Sequence, residues 1–357
     1  MMEITRIPDC RERIARHDAF WHGAVIDRPV VCMALPKEQP ERPWPTPKPV
    51  AHPRERWMDT AWVVDRAVAA ALNTDYLGDA LPTAWPNLGP EVFSAFFGME
   101  MEYTEGTSWG IPCLEDWSQT DQLQFSETNP YWRKLIEMTN ALLEAGQGIY
   151  YVGLTDLHPG GDAVAAFRDP QILNLDLLEH PQGVKELLDR VTRTYFDVFD
   201  FFYNKLAAAE QAITTWLGIV SSKKWYVPSN DFSCMVGKEM FDDFFLPGIV
   251  EECRHMDASV YHLDGPGALH HLDSLLAIDE LNAIQWVYGA GNGPGSKWMD
   301  LYRKCQDAGK GVLIYPAADE LECFIEHLRP EGVWMSVGGV KDRDHADAIL
   351  RRLSQWT

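Results

Sequence analysis

The chain has 357 residues, an ordinary globular composition and a strongly acidic charge. Its 31 Lys and Arg residues and 53 Asp and Glu residues give a formal net charge of −22, and 46% of all residues are hydrophobic. This composition argues against disorder, and the acidity argues against nucleic acid and anionic membranes as partners, because their phosphates would be repelled. The 14 Trp residues indicate aromatic-lined cavities or interfaces as well as a core.

The cysteine content and the start of the chain predict a cytoplasmic protein. The seven Cys residues are an odd number and include no Cys-x-x-Cys pair, which argues against a disulfide framework and for a reducing compartment. The first residues lack the apolar stretch of a signal peptide, and no apolar run approaches the ~18 residues of a membrane-spanning helix. We therefore expect a cytoplasmic protein without a membrane span.

Strand and helix patterns alternate along the chain. In chain order, the predicted strands are 29–35, 75–81, 149–154, 212–217, 259–262, 283–287, 311–315 and 332–337. The predicted helices are 54–72, 131–145, 181–206, 238–254, 268–277, 297–308, 319–328 and 342–355. Eight alternating units predict an α/β protein that forms a single (β/α)8 TIM barrel over residues 1–357. A doubly wound sheet is the alternative, but no Gly-x-Gly-x-x-Gly follows an early strand.

Two segments interrupt this alternation. Residues 1–53 form an N-terminal arm that contains the first strand and ends in a Pro-rich extended stretch. Residues 82–130 are rich in Trp, Pro and Gly and form a long insertion. On a barrel, an insertion of this length is expected to lie over the C-terminal mouth as a lid or hairpin.

The end of the fifth predicted strand carries the sharpest candidate site. Strand alternation places His262 and Asp264 on one face, and the Gly265-Pro266-Gly267 turn follows them. In a barrel, that face at the carboxyl end of the strand lines the active-site mouth. An imidazole and a carboxylate in this arrangement can bind a divalent metal or act as an acid–base pair. The alternative is a structural His–Asp hydrogen bond that closes the strand.

Two further loops carry candidate residues. Asp156 and His158 directly follow the third predicted strand and are expected to contact a substrate, whereas Asp162 is expected either to join them or to cap a helix. Asp231, in the loop of residues 221–235, is a third candidate catalytic group. Cys234 in the same loop is either a soft metal ligand or a small buried apolar residue.

Aromatic and amide side chains at the predicted strand ends complete the expected substrate site. The candidate substrate contacts of this kind are Trp85, Trp216, Trp225, Gln285 and Trp286. Aromatic walls with few arginines suit an apolar or cationic ligand better than a polycarboxylate. We therefore expect an apolar or cationic ligand, with a quaternary ammonium compound as one example.

Several of these residues belong to a wider pattern. The sequence resembles the uroporphyrinogen decarboxylase superfamily, which includes cobalamin-linked methyltransferases that act on corrinoid proteins. The matching segments are Asp27-Arg28-Pro29-Val30, Asp79-Ala80-Leu81-Pro82, Trp85-Pro86-Asn87-Leu88-Gly89-Pro90, Asp176-Leu177 before His180-Pro181, Tyr261-His262-Leu263-Asp264-Gly265 and Gln285-Trp286. The resemblance implies a (β/α)8 barrel, in agreement with the strand count.

Two departures from this family bear on the reaction. Where the decarboxylases carry an arginine-rich stretch for substrate carboxylates, this chain has Cys32 to Pro36 without Arg, so a porphyrinogen is not expected. Where the thiol-activating methyltransferases have His-x-Cys, this chain has His262-x-Asp264, and no later Cys follows the last strand. A hard oxygen ligand in place of a thiolate keeps metal binding expected and disfavours activation of a thiol.

Three functions follow as hypotheses. The first is a metal-dependent methyltransferase, in which zinc or another divalent ion on His262 and Asp264 polarises a small methylated substrate whose methyl group passes to a corrinoid on a partner protein. The second is a metal-free decarboxylase or lyase that acts on a non-porphyrin substrate, with Asp264 or Asp231 as acid and base. The third is a non-catalytic barrel that captures a ligand.

Overall fold

The computed structural model describes residues 1–356, and short strands alternate with helices along most of them. The strands are β1 (Val30–Pro36), β2 (Thr74–Gly78), β3 (Thr83–Ala84), β4 (Met101–Tyr103), β5 (Ser108–Gly110), β6 (Tyr151–Val152), β7 (Ile213–Thr214), β8 (Val220–Ser221), β9 (Trp225–Tyr226), β10 (Ala258–Asp264), β11 (Ala283–Val287), β12 (Gly311–Ile314) and β13 (Val333–Ser336).

The helices include several that the sequence patterns did not predict, among them two between β6 and the long helix α8. The α-helices are α1 (Cys10–Phe20), α2 (Pro53–Trp57), α3 (Thr60–Leu72), α4 (Val92–Ala95), α5 (Pro130–Ala145), α6 (Gly160–Arg168), α7 (Pro170–Glu179), α8 (Pro181–Ala208), α9 (Lys238–Met240), α10 (Leu246–His255), α11 (Leu272–Leu276), α12 (Met299–Asp307), α13 (Leu321–His327) and α14 (Arg343–Leu353). Short 3₁₀ helices are Trp117–Gln122, Asp231–Met235, Pro266–His271, Gly295–Trp298 and Ala318–Glu320.

A mostly parallel sheet of seven strands forms the centre of the molecule, in the order β2-β1-β13-β12-β11-β10-β9. Every neighbouring pair in it is parallel except β1 and β2. The remaining strands form three separate pairs, β3–β6, β4–β5 and β7–β8. The strand ladder does not close on itself within the described residues. The α/β class is therefore confirmed, whereas the closed eight-stranded TIM barrel is not.

The segment predicted as the second parallel strand, residues 75–81, instead turns back against β1. The antiparallel strand β2 ends at Gly78, which has a φ of 64°, and a Cβ there would lie 2.2 Å from the carbonyl oxygen of Val31. The buried carboxylate of Asp79 then accepts hydrogen bonds from the Val31 backbone N–H and from the Arg28 guanidinium, each at 2.9 Å. The pattern of hydrophobic residues does not reveal a glycine turn or a buried ion pair. The sequence therefore predicted a parallel strand here, whereas β2 is antiparallel to β1.

Residues 82–130, predicted as an insertion or lid, are packed into the main core. β3 begins this segment and pairs in parallel with β6. Many of its apolar side chains are fully buried in the same core cluster as the central sheet, namely Leu88, Val92, Phe93, Phe96, Phe97, Met99, Met101 and Tyr103. The segment is thus part of the folded body, and Pro90, Glu91 and Ser94 form one wall of a cavity.

The helix predicted over residues 238–254 contains one wider turn. A π-helical turn, Phe241–Phe245, joins α9 to α10. Pro247 explains the irregularity, because it has no N–H to donate to the carbonyl four residues earlier at Asp243. Turns of this kind are common beside functional sites, and this one lines the second cavity described below.

The long helix α8 shows how the helices attach to the core. Its buried residues recur every three or four positions, which is the spacing of one helical face. They are Val184, Leu187, Leu188, Val191, Thr192, Tyr195, Val198, Phe199, Phe202 and Leu206. The opposite face is charged, and across residues 1–356 no helix combines the length and the apolar character that a membrane crossing requires.

Candidate active site

Three chain segments meet beyond the carboxyl ends of β9 and β10. β9 and β10 are parallel, and the backbone N–H of His262 donates to the carbonyl of Pro228 at 2.9 Å. This register places the 3₁₀ helix that starts at Asp231 beside the end of β10. The loop after β6, which contains His158, joins them from the other side. The carboxyl ends of neighbouring parallel strands thus assemble the candidate residues, as expected for an α/β site.

His262, Asp264 and Asp231 form the first group that could hold a metal. Ligand atoms from the three side chains all lie within 4.8 Å of one another. His262 Nδ1 lies 2.6 Å from Gln285 Oε1, and Gln285 Nε2 in turn donates to the Tyr315 hydroxyl at 2.9 Å. The Gln285 carbonyl oxygen can accept a hydrogen bond from Nδ1, and Nε2 has no partner among the described residues, so it is available to a metal. This is how a second hydrogen bond orients a metal-binding imidazole.

His158, Asp162 and Asp231 form a second group with the same 4.8 Å spacing. Here both ring nitrogens are engaged, because Nε2 lies 2.9 Å from Asp156 Oδ1 and Nδ1 lies 3.3 Å from Asp162 Oδ2. Burial disfavours a charged ring, but the two carboxylates outweigh it, and the pKa of His158 is raised well above its usual value. This raised pKa favours the charged form of the His158 ring, and neither ring nitrogen is free for a metal.

Asp231 belongs to both groups and has an unusual acidity. Its residue is open to solvent on one side, while surrounding protein crowds its carboxyl group from the others. This crowding, together with the negative charges of Asp162 and Asp264, raises the pKa of Asp231 to about 6, against the opposing effect of His158 and His262. When several carboxyl groups lie this close together, ionising all of them is unfavourable. Such a group therefore favours either a shared proton or a bound cation.

An open cavity of about 320 Å³ adjoins these groups. His158, Asp162 and Asp231 line one side, and Glu91 and Met235 lie among the other lining residues. Burial is the main factor that raises the pKa of Glu91. None of the described residues that line the cavity is Lys or Arg. The cavity therefore suits a neutral or cationic ligand and disfavours an anion.

The predicted aromatic contacts separate into two sets. The Trp216 ring stacks near His158, with centroids 6.4 Å apart, and Trp85 packs against Trp216 at 6.3 Å. Trp225 and Trp286, in contrast, are 0% and 1% exposed, and their rings pack in the core. We therefore keep Trp85 and Trp216 as candidate substrate contacts and no longer expect such contacts from the other two.

Some residues at the site were missed or weakly weighted by sequence reasoning. Glu91 lies in the insertion and had no motif to signal it, and Tyr315 stands just after β12 without a charged neighbour. Asp162 was assigned a cap role as its alternative, yet its carboxylate faces His158 and accepts the Phe232 backbone N–H at 2.9 Å. The residue Cys234 is exposed, but its thiol is partly shielded from solvent. This partial burial, together with the nearby carboxylates, raises the pKa of the thiol.

Comparisons with known proteins support the fold. No protein-family profile and no curated protein sequence matches this chain. Among solved structures, it is similar to a methyltransferase from Methanosarcina mazei, with a TM-score of 0.58 over 95% of this chain and 97% of that chain at 11% identity. Identity this low shows likeness of fold alone. The fold is thus related to that of a methyltransferase, and the uroporphyrinogen decarboxylase superfamily is not confirmed.

Proposed function

We propose that this protein is a metal-dependent methyltransferase whose metal is held by His262, Asp264 and Asp231. The observation that carries the proposal is the contrast between the two histidines. His262 has one nitrogen tied to Gln285 and the other free, whereas both nitrogens of His158 are bound to carboxylates. One imidazole and two carboxylates are a donor set that suits zinc with an open coordination position. The likeness to a methyltransferase fold supports the reaction class.

The residues of the chain divide the chemical work in this proposal. Zinc, when bound, would supply Lewis acidity to a substrate heteroatom that carries a lone pair, which a quaternary ammonium nitrogen does not. The methyl group would pass as a cation equivalent to the acceptor named below, and the electron pair of the broken bond would stay on the heteroatom. His158, whose two ring nitrogens are bound to Asp156 and Asp162, would contribute by electrostatic stabilisation rather than by proton donation. The Trp216 ring packs beside His158, and Trp85 packs against Trp216.

The substrate and the methyl acceptor are the further parts of the proposal. A cavity without Lys or Arg beside several carboxylates fits a small methylated, neutral or cationic substrate. A corrinoid held by a partner protein is proposed as the acceptor on the resemblance of the sequence segments named above. We further propose that the central sheet is a distorted (β/α)8 barrel, because most neighbouring strands in it are parallel and are connected through helices.

Decarboxylation is the second candidate, favoured by one observation. The raised pKa of Asp231, about 6, is close to the value that suits a general acid or base at neutral pH. A metal-free lyase would use this carboxyl group directly, with His262 as its partner. Metal content separates the two candidates, because only the methyltransferase requires a bound ion.

Zinc content tests the proposal directly. Protein purified at neutral pH with added zinc and then desalted is expected to retain about one zinc per chain by elemental analysis. His262→Ala and Asp264→Ala are each expected to lower this content at least tenfold. His22→Ala is the matched control, since His22 is exposed and remote in sequence from the site. Zinc content that is absent in the wild type, or unchanged in His262→Ala, contradicts the proposal and favours the lyase or a ligand-binding role.

A further inference from the structure

A second cavity of about 240 Å³ lies behind the candidate active site. The same two loops separate the cavities, because Gly160, Gly161 and Asn230 line the second one while His158 and Asp231 line the first. Helix α8, the π-helical turn and α10 close its other sides, with apolar walls from Leu188, Phe244, Phe245, Pro247 and Ile249. We call this second cavity the rear chamber.

Two buried polar side chains line the rear chamber without protein partners. Asn230 is 3% exposed, and neither its Oδ1 nor its Nδ2 has a hydrogen-bond partner within residues 1–356. Glu252 is 2% exposed, and its Oε2 is likewise unpaired in the described part of the chain. Buried polar atoms in native proteins are almost always bonded. These groups therefore point to an occupant that supplies their hydrogen bonds.

The position of Asn230 depends on a glycine. A Cβ at Gly161 would lie 2.7 Å from Asn230 Oδ1, 2.8 Å from Nδ2 and 2.9 Å from the Phe245 ring. Any larger residue at position 161 would push the amide out of place. Because Gly161 on α6 has no side chain, the Asn230 amide can line the chamber. The backbone and the side chains of the chamber are thus arranged to hold this amide in place.

Charge restricts the class of ligand. The basic side chain among the described lining residues is Lys185, and its ammonium group lies 2.7 Å from Asp243 at the chamber's edge. Glu252 has no such partner, and burial, with the negative charge of Asp162, raises its pKa well above the usual value. In its protonated form, a carboxyl group both donates and accepts a hydrogen bond. Apart from Lys185 at the edge, an anion would meet only acidic or neutral groups among the described lining residues.

We propose that the rear chamber binds a small neutral molecule through a carboxamide or ureido group. Such a group presents an N–H and a C=O side by side, which matches the amide of Asn230 atom for atom and can also pair with the Glu252 carboxyl. A cation would leave Asn230 Nδ2 unpaired, and an anion would leave its Oδ1 unpaired; each buried polar atom left unpaired weakens binding. This site is separate from the metal group and does not rest on the proposed function.

Matched four-carbon probes test the ligand class. Butyramide, butyrate and butylammonium differ at one end only, and ligand-observed NMR on the full-length protein at neutral pH reports which of them binds. Butyramide is expected to bind one site per chain, at least tenfold more tightly than either ion. Preferential binding of butylammonium or butyrate overturns the proposal, and so does binding of none of the three, which would leave water as the sole occupant.

Three variants locate the binding. Asn230→Leu, close in volume, is expected to weaken butyramide binding at least tenfold, whereas Glu252→Gln, which keeps a donor and an acceptor, is expected to stay within about threefold. The same Asn-to-Leu change at the exposed Asn204 is the control. A thermal unfolding curve for each variant separates lost binding from lost folding, and Asn230→Leu is expected to unfold no earlier than the wild type. Butyramide binding unchanged in Asn230→Leu overturns the assignment.

Discussion

At the scale of single residues, hydrogen bonding decides which histidine can serve a metal. His262 and His158 both lie near Asp231, and ligand-atom spacing alone does not distinguish them. The neutral amide of Gln285 leaves His262 with a free nitrogen, while the carboxylates around His158 engage both of its ring nitrogens and raise its pKa. One histidine is thus prepared for metal binding, and the other for electrostatic stabilisation.

Gln285 is expected to act through His262 rather than on the substrate. Gln285→Leu removes the acceptor that fixes the ring, so zinc affinity should fall about 10-fold to 100-fold, the usual cost of losing such a partner. A competitive chelator titration measures this change. Gln147→Leu, at an exposed position, is the control and should retain wild-type affinity. Equal affinity in the two variants contradicts the orienting role of Gln285.

The acidity of Asp231 predicts the pH dependence of metal binding. Because the pKa of Asp231 is about 6, its carboxyl group takes up a proton as the pH falls through that value and then ceases to be an anionic ligand. Zinc affinity is therefore expected to be full above about pH 7 and to decline below about pH 6. Chelator titrations at a series of pH values measure this. In Asp231→Asn, affinity at pH 7 should be lower and its decline with falling pH should be shallower, because one protonatable ligand is lost while His262 must still be neutral to bind zinc. A pH profile identical to that of the wild type would rule out Asp231 as a ligand.

At the scale of elements, two of the residues that carry the family resemblance, Arg28 and Asp79, have a structural role at the edge of the sheet. Arg28 and Asp79 form a buried ion pair, and Asp79 also binds the backbone of β1. Arg16 reaches the same carboxylate at 3.3 Å. These contacts lock the turn after β2 and fix where the chain enters β3. The segment from Asp79 to Pro82 therefore stabilises the fold and lies apart from the candidate chemistry.

Loss of the Asp79 charge should destabilise the protein strongly. Asp79→Asn leaves the nearly buried Arg28 without its counter-charge, and breaking a buried pair in this way costs about 3–5 kcal/mol. Urea unfolding followed by circular dichroism measures the change in the free energy of unfolding. Asp347→Asn, at an exposed position on α14, should change it by less than about 0.5 kcal/mol. Similar stabilities for the two variants would show that the ion pair contributes little.

The sequence predicted the long buried strands well and the short ones poorly. β10 to β13 are four to seven residues long and mostly buried, and the predicted bounds of 283–287 agree with β11. β3 and β9 have two residues each, too few for any periodicity to be visible. From their positions after predicted strands we expected His262 and Asp231 at the same mouth, and ligand atoms of the two side chains lie within 4.8 Å of each other. Gln285 and Trp286, which are neighbours on β11, were both expected to contact the substrate. Successive residues of a strand face opposite sides, so Gln285 contacts His262 whereas Trp286 lies in the core.

At the scale of the whole molecule, the negative charge of the chain favours the same class of ligands as the cavity of about 320 Å³ beside the candidate active site, which we call the front cavity. A formal charge of −22 attracts metal ions and cationic substrates and repels polycarboxylates over distances of about one Debye length. The front cavity concentrates this effect, because the described residues that line it include carboxylates and no Lys or Arg. The rear chamber differs, because its two unpaired polar side chains favour a neutral ligand and burial raises the pKa of its Glu252 carboxyl group well above the usual value.

Ligand-dependent thermal stability tests this selectivity. The zinc-loaded protein is expected to gain thermal stability with a small methylated ammonium compound and none with a tricarboxylate. A ligand at 100 times its Kd stabilises the folded state by about 2.7 kcal/mol, which is readily seen as a rise in Tm. High salt should weaken the response to the cation. A larger rise with the tricarboxylate contradicts the charge argument.

Anomalous X-ray diffraction directly tests whether the metal is bound by His262, Asp264 and Asp231. Crystals soaked with zinc, measured on both sides of the zinc absorption edge, locate each bound ion without prior assumptions about its ligands. We expect one strong peak at about 2.0–2.2 Å from His262 Nε2 and from carboxylate oxygens of Asp264 and Asp231. A peak bound to His158 and Asp162 instead, or no peak near His262, would contradict it.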